Sequence, residues 1–100
     1  MRADRQRLDK WLWFARFART RERAARLVEE GFVRVNGVRA AAPAKALALG
    51  DVVTVAAVHT TAVVRVEALG QRRGSAPEAR TLYAALEGSP PIDTDPDQAG

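Results

Sequence analysis

The sequence predicts a small α+β domain, with two N-terminal helices packed on a small, mostly antiparallel sheet that contains an Asn-Gly hairpin, followed by a short C-terminal helix. Three observations predict it. Apolar residues recur at helical spacing through the N-terminal third, short β-branched runs separated by turn residues fill the middle, and helical spacing returns near the end. With 100 residues, 47% of them hydrophobic, the chain can bury one modest core.

The first helix is expected from about Arg5 to Ala18, because Leu8, Trp11, Leu12 and Ala15 recur at i, i+3, i+4, i+7. Trp11 and Phe14 read as core, whereas Trp13 falls off the main stripe and is expected to be partly exposed. Thr20 is a good N-cap and Glu22 suits the first turn, so a second helix should run from Arg21 to Glu30 with Ala24, Leu27 and Val28 inward. Gly31 is placed to end it with positive φ. Phe32 to Val35 alternates, Asn36-Gly37 is the favoured two-residue type I′ turn, and Val38-Arg39 begins the return strand. Ala40 to Ala46 has little periodicity, and Pro43 argues against a regular central strand there. Leu49-Gly50-Asp51 reads as a turn before the strand Val52 to Val55, with another β-branched run at Thr60 to Val66. After a polar link carrying Arg72-Arg73, Ala79, Leu82, Tyr83 and Leu86 predict a third helix over Glu78 to Leu86. Residues 1–86 thus form a single domain, and residues 87–100, rich in Pro, Gly and Asp, are expected to be a disordered acidic tail.

Enzymatic chemistry finds little support. The single histidine, His59, lies between expected strands with no Ser, Cys or carboxylate partner in register. Asp93, Asp95 and Asp97 begin like a calcium loop, but Gln98 stands where that loop needs glycine and Pro96 intervenes. No glycine-rich phosphate or dinucleotide motif is present, so no catalytic residue, metal, cofactor or small-molecule substrate is expected. There is no cysteine, which fits a reducing compartment. No apolar run reaches the length of a membrane span, so the expected location is the cytoplasm, without a membrane partner.

Charge is more informative. Residues 1–50 hold 12 Lys+Arg against 5 Asp+Glu, whereas residues 51–100 hold 4 against 7. A basic half beside an acidic half points to a polyanionic partner. Phosphates call for several cations in a fixed array, because each neutralised phosphate releases counterions and the contributions add. Two helices and a hairpin can hold Arg7, Lys10, Arg16, Arg19, Arg21, Arg23, Arg26, Arg34 and Arg39 in such an array. Asn36 could offer a bidentate amide to a base, or serve only its turn.

Arg7-Leu8-Asp9-Lys10, then Thr20-Arg21, Ala24, Leu27, Gly31, Val33 to Gly37 as VRVNG, Lys45 and Leu49-Gly50-Asp51 resemble the RNA-binding domain named after ribosomal protein S4. The double tryptophan in RLDKWLWFARFARTR and the later QRRGSAPEARTLY are similar to the heat-shock protein 15 family, and that resemblance extends to about Tyr83. It implies a non-enzymatic protein that binds structured ribosomal RNA, with large ribosomal subunits carrying a stalled nascent chain as target. Carried over residue by residue, it implies an RNA surface of Arg7, Asp9, Lys10, Thr20, Arg21, Arg26, Asn36 and Gly37, with Arg23 and Lys45 as neighbours. Asp9 is expected to orient Lys10 or an arginine. Members of that family carry a longer, basic C-terminal extension, whereas the last stretch here is acidic. The protein is expected to act as a monomer, and weak DNA binding is expected from the same charge. The alternatives from other classes are an accessory module that docks a protein partner and a nonspecific DNA-binding protein.

Overall fold

A computed structural model describes residues 5–57 and 60–88. The elements in chain order are β1 (Arg5–Arg7), α1 (Leu8–Phe14), α2 (Arg21–Glu29), β2 (Val33–Val35), β3 (Val38–Arg39), β4 (Ala46–Ala48), β5 (Val52–Ala57), β6 (Thr60–Val66), α3 (Ala76–Arg80) and β7 (Tyr83–Gly88). Alternation in the β-branched runs makes a sheet with one wet and one dry face. Its strand order is β3-β2-β5-β6-β7, antiparallel throughout, and β1 and β4 form a separate two-stranded ladder. The registers Val33↔Val55 and Val55↔Ala62 put buried residues opposite one another. Arg34 and Thr54 face outward between them.

The dry face joins Leu8, Trp11, Leu12, Phe14, Ala24 and Val28 in one core cluster, as the helical spacing predicted. Trp11 is at its centre with no exposed surface. Its ring lies 6.1 Å from Phe17 and 6.4 Å from Tyr83, and its indole N–H donates to the Ala68 carbonyl at 3.0 Å. A buried indole needs such an acceptor. Trp13 is half-exposed and stacks on Phe14, with centroids 5.3 Å apart.

The first helix is shorter than its apolar spacing suggests, Leu8–Phe14 rather than Arg5 to Ala18. At its start Arg5–Arg7 is extended and pairs with Ala46–Ala48. At its end Phe17 N–H reaches back to the Leu12 carbonyl and Arg16 turns left-handed at φ 66, which closes the helix. Leu8, Trp11, Leu12 and Ala15 are nevertheless all buried. The second helix matches its expected limits within a residue. Thr20 Oγ accepts from Arg23 N–H at 3.1 Å, and Gly31 follows at φ 89.

The stretch from Ala40 to Ala46 holds no central strand, as Pro43 indicated, and leads into β4 and its separate ladder with β1. One other expectation is corrected. The C-terminal helix is Ala76–Arg80 rather than Glu78 to Leu86. Ser75 and Glu78 form a reciprocal capping box that starts it two residues early. Tyr83–Gly88 then joins the sheet beside β6, so Leu82 and Tyr83 enter the core from a turn and a strand. Between Val63 and Val64 the register shifts, Leu86 has no partner in the ladder, and its side chain is exposed. β7 carries the fold through Glu87 and Gly88. The rest of the expected tail, residues 89–100, and His59 lie outside the described residues.

Candidate nucleic-acid interface

The site begins where α1 lacks a side-chain cap. Arg7 holds the N-cap position in an extended conformation, and the first two helical amides are satisfied by carbonyls from elsewhere. Leu8 N–H donates to Lys45 O at 2.9 Å and Asp9 N–H to Pro43 O at 3.1 Å. The irregular segment before β4 is therefore the cap, and it brings the exposed Lys45 beside Arg7, whose Cα pairs with Ala46.

Asp9, in the first turn of α1, is the buried charged residue of the core region, 3% exposed. A carboxylate out of water has to be paired and hydrogen-bonded. Arg7 supplies this through a fork, with Nε and Nη2 each 3.1 Å from a carboxylate oxygen. The Arg21 Nε lies 3.7 Å from the same carboxylate. Both guanidinium side chains remain about half-exposed, at 50% and 43%. The hydrogen bond and charge of Asp9 raise the Arg7 pKa. Arginine is charged at any ordinary pH, so the effect is one of orientation: two cations from different elements are held against one anchor with their outer edges in water.

Around this group, Thr20 sets the start of α2 and with it the position of Arg21, while Arg23 and Arg26 are exposed along the same helix. Lys10 is half-buried with Nζ 5.7 Å from the Phe14 ring centroid, a cation–π contact. Asp9 thus orients arginines rather than Lys10.

The hairpin tip has Asn36 at φ 53 and Gly37 at φ 82, the two positive φ values of a type I′ turn. Space around Gly37 is open, with no atom within 4 Å of where a β-carbon would lie. Asn36 is engaged: its Oδ1 accepts from Val52 N–H at 2.9 Å and its Nδ2 donates to Asp51 at 3.2 Å. Asp51 in turn accepts from Ala48 N–H at 3.0 Å. The side chain serves the turn and the neighbouring 48–51 loop, so it is not a free amide for a base.

Direct contacts and adjacent chain positions therefore bring together Arg7, Asp9, Lys45, Thr20 and Arg21. Arg23 and Arg26 share the outer side of α2, and Asn36 and Gly37 form a separate projection tied through Asp51 to the end of β4. Sequence reading missed the partners that hold this frame. Gln6 makes a two-way amide contact with Gly70, at 2.8 and 3.1 Å, and Arg16 and Arg73 cross between α1 and the 70–74 loop. The sequence signals for them are Arg16 in the basic N-terminal half and the adjacent pair Arg72-Arg73 in a polar link.

The S4 domain family matches residues 6–53. The heat shock protein 15 homolog of Aeromonas salmonicida is 43% identical over 83 residues, covering 83% of this chain and 62% of the relative. Heat shock protein 15 of Escherichia coli K12 is 42% identical over 77 residues, covering 77% of this chain and 57% of the relative. The chain thus spans about three fifths of the length of the curated relatives it matches. A trimeric structure of Vibrio cholerae heat shock protein 15 is 41% identical and superposes with a TM-score of 0.76 over 82% of each chain. By fold, by the matched segment and by identity, this chain belongs to the heat shock protein 15 family of S4-domain proteins.

Proposed function

We propose that the protein is a non-enzymatic, cytoplasmic RNA-binding protein that acts at the ribosome. Its target is structured ribosomal RNA, on a large subunit that carries a stalled nascent chain. The observation that carries this reading is the buried Asp9 carboxylate holding Arg7 and Arg21 with their outer edges in water. Preset guanidinium planes match phosphate oxygens better than freely rotating cations do. Arg7, Lys10, Thr20, Arg21, Arg23, Arg26 and Lys45 form the proposed RNA face. Asp9 is its anchor, and the Asn36-Gly37 tip is the point of closest approach. Side chains cannot read base edges in the deep groove of an RNA helix, so recognition is by shape and phosphate position. Every element of the face comes from one chain, and a monomer suffices to present it.

The test is binding to deproteinised large-subunit ribosomal RNA across a salt series, with duplex DNA as competitor. Affinity should fall steeply with salt, and the double change Arg21→Ala, Arg26→Ala should weaken it while the protein still melts cooperatively, because the Arg7 fork keeps Asp9 paired. Affinity flat with salt would reject the basic face, and equal affinity for DNA would reduce the protein to a nonspecific polyanion binder. Sedimentation of the protein with ribosomal particles tests the target. Absence from every ribosomal fraction would favour the reading as a module that docks a protein partner.

A further inference from the structure

α1 and α2 end in the same backbone motif with different residues. After α2, Gly31 is left-handed at φ 89, its N–H meets Val28 O at 3.1 Å, and Phe32 N–H meets Leu27 O at 3.0 Å. After α1, Arg16 is left-handed at φ 66, its N–H meets Trp13 O at 3.1 Å, and Phe17 N–H meets Leu12 O at 2.9 Å. Glycine is the usual residue at such a position because a β-carbon crowds the following carbonyl. Arg16 occupies it against its backbone preference, so what the position gains is a guanidinium.

That guanidinium crosses to the 70–74 loop, where Nε and Nη2 donate to the Gly74 carbonyl at 3.1 and 2.9 Å. Arg73 of the loop crosses back, with Nε on Trp13 O at 3.2 Å and Nη2 on Ala18 O at 3.5 Å. The exchange places two like charges at half-buried positions along the seam between α1 and the 70–74 loop. Among the described residues neither lies within ion-pair distance of a carboxylate, whereas the neighbouring Arg72 is paired with Glu78. Burial, and then the charge of Arg16, depress the Arg73 pKa. A link serving stability alone would be stronger with a carboxylate between the forks. As built, the pair repels, and a bound anion would reverse the sign.

We propose that Arg16 and Arg73 form a phosphate clamp, separate from the Arg7–Asp9–Arg21 group, that takes a backbone phosphate of the bound RNA. The proposal rests on the RNA-binding reading. The two groups lie at opposite ends of α1, about 10 Å apart by helix rise, so they grip phosphates of different nucleotides. The clamp carries the footprint beyond the S4 segment, into a loop that segment does not contain.

Two variants of the full chain test it. Arg16→Gly removes the guanidinium while relieving the left-handed backbone, and Arg73→Gln removes the charge but keeps an amide donor. Each should weaken binding to large-subunit ribosomal RNA about threefold to tenfold and lower the salt slope by about 0.9. Melting should stay within about 5 °C of the parent. In parallel, inorganic pyrophosphate is titrated into the parent protein while the Nε–H signals of the arginines are followed by nuclear magnetic resonance. Selective movement of Arg16 and Arg73 supports the clamp. Unchanged RNA affinity and slope in both variants, with Arg7→Ala still weakening binding, overturns the clamp and leaves the RNA-binding reading intact. If the parent ignores RNA, the RNA-binding reading falls and the clamp for an RNA phosphate falls with it, and movement of these two signals by pyrophosphate would then mark only a site for free phosphate-type anions. No response to either ligand rejects both.

Discussion

Among the described acidic residues, Asp9 is unusual because it is buried yet serves groups that are not. Changing it to Asn keeps the shape and removes the charge that gathers Arg7 and Arg21. Hydrogen bonds to charged groups are stronger than neutral ones, so Asp9→Asn should lower the midpoint of a urea titration. It should also weaken RNA binding about as much as Arg7→Ala does. Lower stability with unchanged affinity would make Asp9 a packing feature rather than an anchor. Gly31 offers a complementary test. An alanine there would carry a β-carbon at φ 89 with the Arg39 guanidinium 2.8 Å away. Gly31→Ala should therefore cost about 1–2 kcal/mol, read as an earlier thermal midpoint. Unchanged stability would mean that α2 can end in another way.

Among the elements, α3 makes an acid-sensitive prediction. Glu78 has its pKa lowered by the backbone N–H of Ser75 first and by Arg72 second. A depressed folded pKa means that the carboxylate stabilises the fold above the unfolded value, near 4.5, and that this contribution is lost as pH falls through the lower folded value. The α3 amides should therefore lose protection, measured against the intrinsic exchange rate at each pH, on acidification through that window, and Glu78→Gln should remove the dependence. No change in exchange for the parent would deny the capping box its role. The elements also show what was legible in the sequence. α2 was readable because its cap, apolar stripe and terminal glycine are local signals, and the Asn36-Gly37 turn for the same reason. The apolar spacing of α1 continues through Ala15, but two features outside that spacing bound the helix: the pairing of Arg5–Arg7 with Ala46–Ala48, and a left-handed arginine. Ala79, Leu82, Tyr83 and Leu86 fit helical spacing, and nothing nearby in the sequence announces β6 as the partner that makes Tyr83–Gly88 a strand. The site residues on α1 and α2 came from local motifs and a family resemblance. Arg16 with Arg73, and Gln6 with Gly70, join positions some sixty residues apart, a distance at which sequence pattern carries no information.

At the scale of the whole molecule, the N-terminal half carries the charge and the C-terminal half completes the core. The S4 match ends at residue 53, yet Trp11 donates to Ala68 and packs against Tyr83. Losing a buried tryptophan's packing costs about 3–5 kcal/mol, a large share of the roughly 5–15 kcal/mol that holds a domain folded. A fragment of residues 1–53 should therefore lack a cooperative melt and bind ribosomal RNA only weakly, whereas residues 1–88 should melt and bind like the full chain. A folded, fully competent short fragment would show that the later strands are dispensable.

The Trp11 contacts also order events during synthesis. Domains complete their folding only when the last strand of the core is available. A copy still being made exposes residue 11 long before residue 83, and until Tyr83 arrives the arginines around Asp9 have no rigid floor. The basic face therefore becomes rigid only in a copy whose last core strand has been added.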